Sequence, residues 1–95
     1  MDKGLEILGV IKAKSGSEEI VKAELLNLIE PTKHEKGCLQ CDILQNNKNS
    51  NIFLSFENWE NRQLWQDHMH NDHLAEYLKA TESLVENSTF HVTKF

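Results

Sequence analysis

The order of predicted elements places this 95-residue chain in the α+β class, as a four-stranded antiparallel sheet with helices on one face. Alternating apolar residues indicate four strands, and apolar residues at helical spacing indicate the helices between them. The resulting order, β-α-β-β-α-α-β, is a split β-α-β arrangement. We expect one domain spanning residues 1–95, because no linker, repeat or low-complexity segment interrupts the pattern.

The first strand is predicted from Leu5 to Lys14. Apolar side chains occur on both of its sides, with Leu5, Ile7 and Ile11 on one and Leu8 and Val10 on the other. A strand that is apolar on both sides is typical of one buried on both faces.

A helix is predicted after this strand. The segment Ser15-Gly16-Ser17 is typical of a turn that caps a helix, and acidic Glu18 and Glu19 stabilise the positive end of the helix dipole. One apolar stripe then recurs at helical spacing, formed by Val21, Leu25, Leu28 and Ile29. Pro31 ends or kinks this helix because its ring lacks a backbone N–H, and weak helical character is expected up to Gly37.

A polar turn over residues 46–51 separates two strand-like segments, Cys38–Gln45 and Ile52–Trp59, which predicts a β-hairpin. The second segment is bulky on both sides, with Phe53 and Trp59 on one and Ile52, Leu54 and Phe56 on the other. The helices of one subunit cover only one face of the sheet, so the other face is left apolar and exposed. We therefore expect two copies to pack sheet to sheet as a homodimer.

Two further helices and a last strand follow. Asn61 is a candidate N-cap for a short helix with one packed side, formed by Leu64, Trp65, His68 and Met69. Asn71 or Asp72 caps the next helix, whose predicted stripe comprises Leu74, Tyr77, Leu78, Leu84 and Val85. Alternating residues predict a fourth strand from Ser88 to Phe95.

Charge and hydropathy exclude several partners. The net charge is −5, and the basic residues are scattered singly, so no basic patch is available for DNA, RNA or an anionic membrane. No stretch approaches the roughly 20 apolar residues of a membrane-spanning helix. The residues after Met1 enter strand-like sequence without an apolar signal segment. We expect a cytoplasmic protein that binds neither nucleic acid nor a membrane.

Cys38 and Cys41 have the C-x-x-C spacing of redox and zinc sites. They lie in a segment predicted as a strand, where residues three apart project to opposite faces. A redox pair of this kind also needs a helix N-terminus to lower the thiol pKa. The sequence therefore favours two small packed thiols in a reducing compartment.

Several short segments occur in an order and spacing that resemble one family. They are an extended segment and turn at residues 10–16, the helix end Glu30-Pro31-Thr32, the strand start Gly37-Cys38-Leu39-Gln40 with Asp42, the element Glu57-Asn58-Trp59, and the histidines His68 and His73. Over nearly its whole length the chain resembles the antibiotic biosynthesis monooxygenase superfamily. The resemblance implies a ferredoxin-like fold that assembles as a homodimer, the dimeric α/β barrel.

Relatives in this superfamily include monooxygenases that oxidise hydroquinones or polycyclic phenols without metal, flavin or haem, haem-degrading enzymes, and an isomerase of a sugar phosphate. The resemblance places the catalytic Asn of the haem-degrading relatives at about Gly9, their ring-distorting Trp at about His68 and their iron-binding His at about Leu78. The chain lacks all three residue types there, so haem degradation is not expected. The resemblance instead implies oxidation of a small phenolic or quinol substrate by dioxygen, with no cofactor.

His68 is the predicted catalytic base or hydrogen-bond partner. An imidazole titrates near neutral pH, and His68 lies one helical turn from Trp65 on the same side. The alternative is a histidine bonded to backbone at a helix end. The predicted substrate-binding residues are Glu57, Trp59, Trp65, His73 and Tyr77. Each has a packing alternative: an ion pair for Glu57, a helix–helix corner for His73, and core or surface packing for the aromatic residues.

The sequence predicts no metal site. His68, His70 and His73 are close together, but helical zinc pairs are spaced three or four residues apart. Two rival functions remain. An isomerase would use His68 and Glu57 to move protons on a phosphorylated carbonyl compound, although Arg62 is the only arginine in the chain. The second rival is a dimer that binds a small apolar molecule without reaction.

Overall fold

The computed structural model describes residues 4–94, and the side chains up to residue 92. Over this range the chain forms four strands and three helices, namely β1 (Leu5–Ala13), α1 (Glu18–Lys33), β2 (Cys38–Gln45), β3 (Ile52–Trp59), α2 (Arg62–Met69), α3 (Asp72–Thr81) and β4 (Val85–Lys94). The strands form one antiparallel sheet in the order β2-β3-β1-β4. The α+β, ferredoxin-like fold class is therefore confirmed. Phe95, the predicted end of the fourth strand, lies outside the described residues.

One face of the sheet forms the core with the helices. Alternate side chains of β1 are buried on this face, namely Leu5, Ile7, Ile11 and Ala13. Phe53 and Trp59 of β3 lie beside them, opposite Ile11 and Leu5. Val21 and Leu25 of α1 pack on the same cluster as Phe53. We call this side of the sheet the inner face.

The opposite side of the sheet remains partly exposed. It carries six apolar side chains, which we call the outer apolar face: Leu8, Val10, Leu44, Ile52, Leu54 and Phe56. The strand register makes them neighbours, because Leu8 pairs with Phe56, and Leu54 pairs with both Val10 and Leu44. Both β1 and β3 therefore have two apolar faces, as their sequences indicate.

α1 does not end at Pro31 but continues to Lys33, and a turn then leads to β2. Gly37 ends this turn with a φ of +91°. Its carbonyl accepts a 2.8 Å hydrogen bond from the backbone of Glu60, and a Cβ at Gly37 would overlap Leu64 of α2. The turn therefore lies directly against α2. Within residues 4–94, none of the helices has the length and apolarity needed to cross a membrane.

Both predicted asparagine caps occur. The side-chain oxygen of Asn61 accepts from the backbone of Leu64 at 2.9 Å, and that of Asn71 accepts from His73 at 3.3 Å. These bonds satisfy backbone N–H groups that have no partner inside the helix. The two caps fix the separate starts of α2 and α3.

The predicted stripe of the last helix is wrong at its end. α3 stops at Thr81, so Leu84 and Val85 lie outside it. The carbonyl of Leu84 accepts from the backbone of Lys14 at 2.8 Å, and Val85 pairs with Ala13 of β1. Because these contacts continue the sheet, β4 begins at Val85, before the predicted start at Ser88.

A β-bulge in β2 changes the orientation of the cysteines. Cys38 lies opposite Trp59 and Cys41 opposite Glu57, while the register shifts between Cys38 and Gln40. Trp59 and Glu57 are two residues apart on β3, so the extra residue brings both cysteines to the inner face. The prediction that they project to opposite faces is therefore wrong. Both thiols are free, and burial raises the pKa of each, which disfavours the thiolate that redox chemistry needs.

Candidate functional site

A polar segment interrupts the buried side of β3. Between Phe53 and Trp59, the inner-face positions are occupied by Ser55 and Glu57. His68 of α2 reaches the same place, and its ring packs on Trp59 with the ring centroids 4.8 Å apart. His68 is only 3% exposed. Because buried polar groups cost free energy unless they are paired, the contacts of these side chains define the candidate site.

The first turns of α2 fix the position of His68. Leu64 and Trp65 pack against a buried cluster formed by Leu5, Ile7 and Trp59. His68 lies three residues beyond Trp65, on the same side of the helix. The packing that anchors α2 therefore directs His68 toward the sheet.

Glu35 joins His68 to His73. It lies in the turn after α1, and its Oε2 atom is 2.7 Å from His68 Nδ1 and 2.7 Å from His73 Nε2. The side chains of Glu35, His68 and His73 are 13%, 4% and 23% exposed. An ionised carboxylate only accepts hydrogen bonds, so we assign a hydrogen to each of the two nitrogens that face it. Glu35 thereby orients both rings.

Glu57 approaches the other edge of the His68 ring. Its Oε1 atom accepts a 2.8 Å hydrogen bond from Trp59 Nε1 and lies 3.8 Å from His68 Nε2. The second distance is too long for a hydrogen bond. With Nδ1 donating to Glu35, a neutral His68 holds its free lone pair on Nε2. This nitrogen is therefore able to accept a proton from a bound molecule.

A cavity of about 140 Å³ lies between the helices and the sheet. His68 and Glu57 line it, whereas Glu35 and His73 do not, so it lies on the Nε2 side of the His68 ring. Most of its wall is apolar, formed by Ile11, Leu25, Leu28, Ile43, Met69, Leu74, Leu78 and Phe90. Within the described part of the chain, no lysine or arginine lines this cavity.

Tyr77 lines the cavity, and its hydroxyl forms a hydrogen bond with the side chain of Thr81, which lies outside the cavity wall. Burial raises the pKa of the Tyr77 hydroxyl, so the group stays protonated at neutral pH. At Tyr77, Leu78 and Ser88 the cavity adjoins an open groove of about 500 Å³ between the end of α3 and β4. The cavity and this groove therefore share one edge.

The cavity brings together three of the predicted site residues, His68, Glu57 and Tyr77. The contacts of the His68 ring nitrogens are with carboxylates, unlike those of a histidine bonded to backbone. His73 contacts Glu35 instead of the cavity. Trp59 is fully buried under the His68 ring, and Trp65 is half-buried in the packing that anchors α2.

Sequence reasoning missed Glu35 as a member of the site. It is 33 residues from His68 and 38 from His73, and no local motif marks it. The one nearby signal is Gly37, which allows the turn to pack against α2. The spacing argument against a histidine cluster also fails, because the break between α2 and α3 brings His68 and His73 to the same carboxylate. His70 is exposed and takes no part.

This fold and site define a small α+β protein with a buried imidazole–carboxylate cluster beside an apolar cavity. The family model for antibiotic biosynthesis monooxygenases matches residues 5–80. The chain therefore belongs to the antibiotic biosynthesis monooxygenase family.

Individual relatives support the same fold. The uncharacterised protein sll1783 of Synechocystis is 29% identical over 84 residues, which are 88% of this chain and 57% of that protein. The chain thus spans little more than half the length of this relative. The crystal structure of PA3566 from Pseudomonas aeruginosa has a TM-score of 0.95 at 27% identity, covering 100% of this chain and 96% of that one. A Bacteroides thetaiotaomicron structure, described as a conserved protein of unknown function and possible oxidoreductase, has a TM-score of 0.91 at 17% identity and covers 100% of both chains.

Proposed function

We propose that this chain is a cytoplasmic, homodimeric monooxygenase that oxidises a small phenolic or quinol substrate with dioxygen and no tightly bound cofactor. The observation that carries the proposal is that His68, bound to Glu35 through Nδ1, lines an apolar cavity. Membership of the monooxygenase family supports the reaction class. Two free cysteines suit a reducing compartment. The whole chain, residues 1–95, acts as one domain in this proposal.

The volume and lining of the cavity support a small aromatic substrate. The cavity volume is about 140 Å³, and an apolar cavity of about 150 Å³ is able to hold a benzene ring. The apolar wall favours an uncharged ring, while Glu57, His68 and Tyr77 offer partners for hydroxyl groups. A phosphorylated substrate, as the isomerase rival requires, would need cationic side chains that the described cavity wall does not contain.

The chemistry begins with removal of a proton. Ground-state dioxygen is a triplet, so its direct reaction with a closed-shell molecule is spin-forbidden. His68 Nε2 takes a proton from a quinol hydroxyl, and the electron-rich anion transfers one electron to dioxygen. In the complete reaction the quinol gives four electrons to dioxygen, one oxygen atom enters the ring, and the other leaves as water. The product is a hydroxyquinone, and every electron comes from the substrate.

The remaining side chains stabilise the charge that develops. In the proposed reaction the protonated Tyr77 hydroxyl exchanges its hydrogen bond with Thr81 for one to the phenolate or to a peroxide formed on the ring. Glu57 lies 3.8 Å from His68 Nε2 and stabilises the imidazolium after proton transfer. Apolar walls exclude water, which strengthens both interactions.

The outer apolar face supports the homodimer. Its six apolar side chains form one contiguous patch, with Leu8 38% and Leu44 59% exposed. A contiguous, exposed apolar patch typically marks an interface. A second copy of the chain offers a surface of matching shape and chemistry. Two sheets packed through these faces would remove the patch from water.

Dioxygen consumption by metal-stripped protein tests the proposed reaction. A panel of one-ring and two-ring hydroquinones is used, with the matching autoxidation blanks subtracted. We expect saturable uptake, and one ¹⁸O atom in the product when ¹⁸O₂ is supplied. His68→Asn removes the base and is expected to lower turnover by roughly 10²–10⁴-fold.

The matched control for this experiment is His70→Asn, which changes an exposed histidine next to the same helix and should leave turnover unchanged. Equal turnover in wild type and His68→Asn would remove His68 from the mechanism. Tight binding of a hydroquinone without dioxygen uptake would establish the ligand-binding rival instead.

A further inference from the structure

Three potential metal ligands meet behind His68. Glu35, His68 and His73 each offer one ligand atom, and these atoms all lie within 4.8 Å of one another. They come from three different elements, the turn after α1, the end of α2 and the start of α3. All three side chains are mostly buried, with His73 the most exposed at 23%. The cluster is therefore held by the fold and open to solvent at His73.

We propose that Glu35, His68 and His73 bind one divalent transition-metal ion of the zinc type, through a Glu35 carboxylate oxygen, His68 Nδ1 and His73 Nε2. Two imidazole nitrogens and one carboxylate are a donor set that zinc and related metals prefer, and three protein ligands leave a position for water. The metal takes the place of the two hydrogens that now link the rings to Glu35, and each ring then carries its hydrogen on its other nitrogen. The inference goes beyond the proposed oxygenase activity and does not depend on it.

The hydrogen-bonded cluster has to rearrange before it can hold a metal ion. Glu35 Oε2 lies 2.7 Å from each imidazole nitrogen. In a tetrahedral zinc site, bonds of about 2.0–2.2 Å place neighbouring donor atoms about 3.3 Å apart. Glu35 would therefore have to withdraw by about 0.6 Å. The two imidazole nitrogens, up to 4.8 Å apart, would have to approach each other by up to about 1.5 Å, through rotation of the His68 and His73 side chains.

Glu57 is a carboxylate close to the outer nitrogen of His68. A metal-bound histidine nearly always donates its other ring N–H to a carboxylate, carbonyl or water. Glu57 Oε1 lies 3.8 Å from His68 Nε2, on the far side of the ring from Glu35. This carboxylate is already fixed by the hydrogen bond from Trp59. At 3.8 Å, Glu57 would orient His68 as a ligand through a bridging water or after a shorter approach.

Metal binding has a consequence for the cavity. A neutral imidazole that binds metal through Nδ1 carries its hydrogen on Nε2, so metal binding moves the His68 hydrogen from Nδ1 to Nε2. His68 would then face the cavity as a hydrogen-bond donor, without the free lone pair that it has in the metal-free cluster. The ion itself would lie behind the ring, because Glu35 and His73 do not line the cavity.

Equilibrium dialysis of the full-length chain against Zn²⁺, followed by elemental analysis, tests the proposal. We expect one ion per chain, and visible absorption typical of tetrahedral coordination when Co²⁺ is used as a probe. Glu35→Gln and His73→Asn each remove one ligand and should weaken binding at least about tenfold. His70→Asn changes a neighbouring exposed histidine and should leave binding unchanged.

Circular dichroism establishes that each variant is folded, and His73→Asn keeps the test decisive if Glu35→Gln does not fold. Binding of less than one ion per chain at micromolar Zn²⁺ would overturn the proposal. Binding that is equal in wild type and His73→Asn would also overturn it. Since the readout is metal content and not turnover, the result is separate from the outcome of the dioxygen assay.

Discussion

The reactivity of the Cys41 thiol reports the burial of the inner face at a single residue. Burial is the main cause that raises the pKa of this thiol from an ordinary value of 9.0 to about 12. Only about one thiol in 10⁴ is then ionised at pH 8, and the thiolate is the nucleophile. We expect native Cys38→Ser protein to resist iodoacetamide at pH 8, as measured by mass spectrometry, while the same protein reacts readily in guanidinium chloride.

The same pKa shift makes stability depend on pH. Folding favours the protonated thiol, so the contribution of Cys41 to the free energy of unfolding is fully present below pH 9 and is lost as the pH rises toward 12.

Alkylation at equal rates in native and unfolded protein would contradict the buried position of Cys41.

The site residues differ in how far local sequence predicts them. His68 and Tyr77 lie on helices with one packed side, and Glu57 alternates with Trp59 on a strand, so short-range patterns are enough to propose them. Glu35 contacts residues 33 and 38 positions away. Contacts of that range depend on how the helices are arranged, which no local pattern of residue types encodes. Local sequence therefore predicts His68, Tyr77 and Glu57 but not the carboxylate of Glu35.

At the scale of elements, the turn between α1 and β2 positions Glu35 through Gly37. Gly37 has a φ of +91° and touches Leu64, whereas Gly16 has a φ of +90° and open space around it. An alanine at either position costs about 1–3 kcal/mol for the unfavourable backbone. At Gly37 the overlap with Leu64 adds about 1–3 kcal/mol more. We expect Gly37→Ala to lower the free energy of unfolding more than Gly16→Ala, as measured by urea denaturation.

The pair of glycine variants separates the cost of the unfavourable backbone from the cost of the overlap with Leu64. Gly16→Ala is the matched control, because it has the same backbone requirement without the contact to α2. Equal losses of stability in the two variants would mean that the turn at Gly37 does not pack against Leu64 of α2. In that case the position of Glu35 would have to be fixed by other contacts.

Some boundaries of the helices and strands follow from local sequence, and others do not. The hairpin, both asparagine caps and the start of α1 follow from residues that act locally. The bulge in β2 and the early start of β4 depend on pairing with β3 and β1, so neighbouring strands decide them. Leu84 and Val85 fit a helical stripe equally well, but their backbone groups extend the sheet.

At the scale of the whole molecule, Phe56 tests the proposed homodimer. Phe56 lies on the outer apolar face, while Phe53 is fully buried under the helices. Phe56→Asp would bury a charge between the two sheets, at a cost of several kcal/mol. We expect wild type to be dimeric and Phe56→Asp to be monomeric or aggregated, as measured by light scattering.

Leu26→Asp is the control for this assembly test, because Leu26 is an exposed apolar residue of α1, 47% exposed. It should leave the dimer intact. A stable dimer of Phe56→Asp, or a wild-type monomer at micromolar concentration, would rule out sheet-to-sheet packing.

The overall architecture was the most predictable level. Seven elements in a split β-α-β order restrict the sheet to very few topologies, and the observed order β2-β3-β1-β4 is one of them. The apolar pattern on both sides of β1 and β3 also anticipates the outer apolar face. Precise contacts within the site are less predictable, because many side-chain arrangements satisfy the same topology.

The bulge at the start of β2 has a consequence for comparing this chain with its relatives. The extra residue lies between Cys38 and Gln40, shortly after Glu35. A relative without the bulge has one residue fewer here, so an ungapped alignment through β2 would shift Glu35 by one position. The acidic residue would then seem to be missing from chains that possess it. Relatives with this cluster are best sought by aligning from Gly37 backward and from Cys41 forward, with a gap allowed between them.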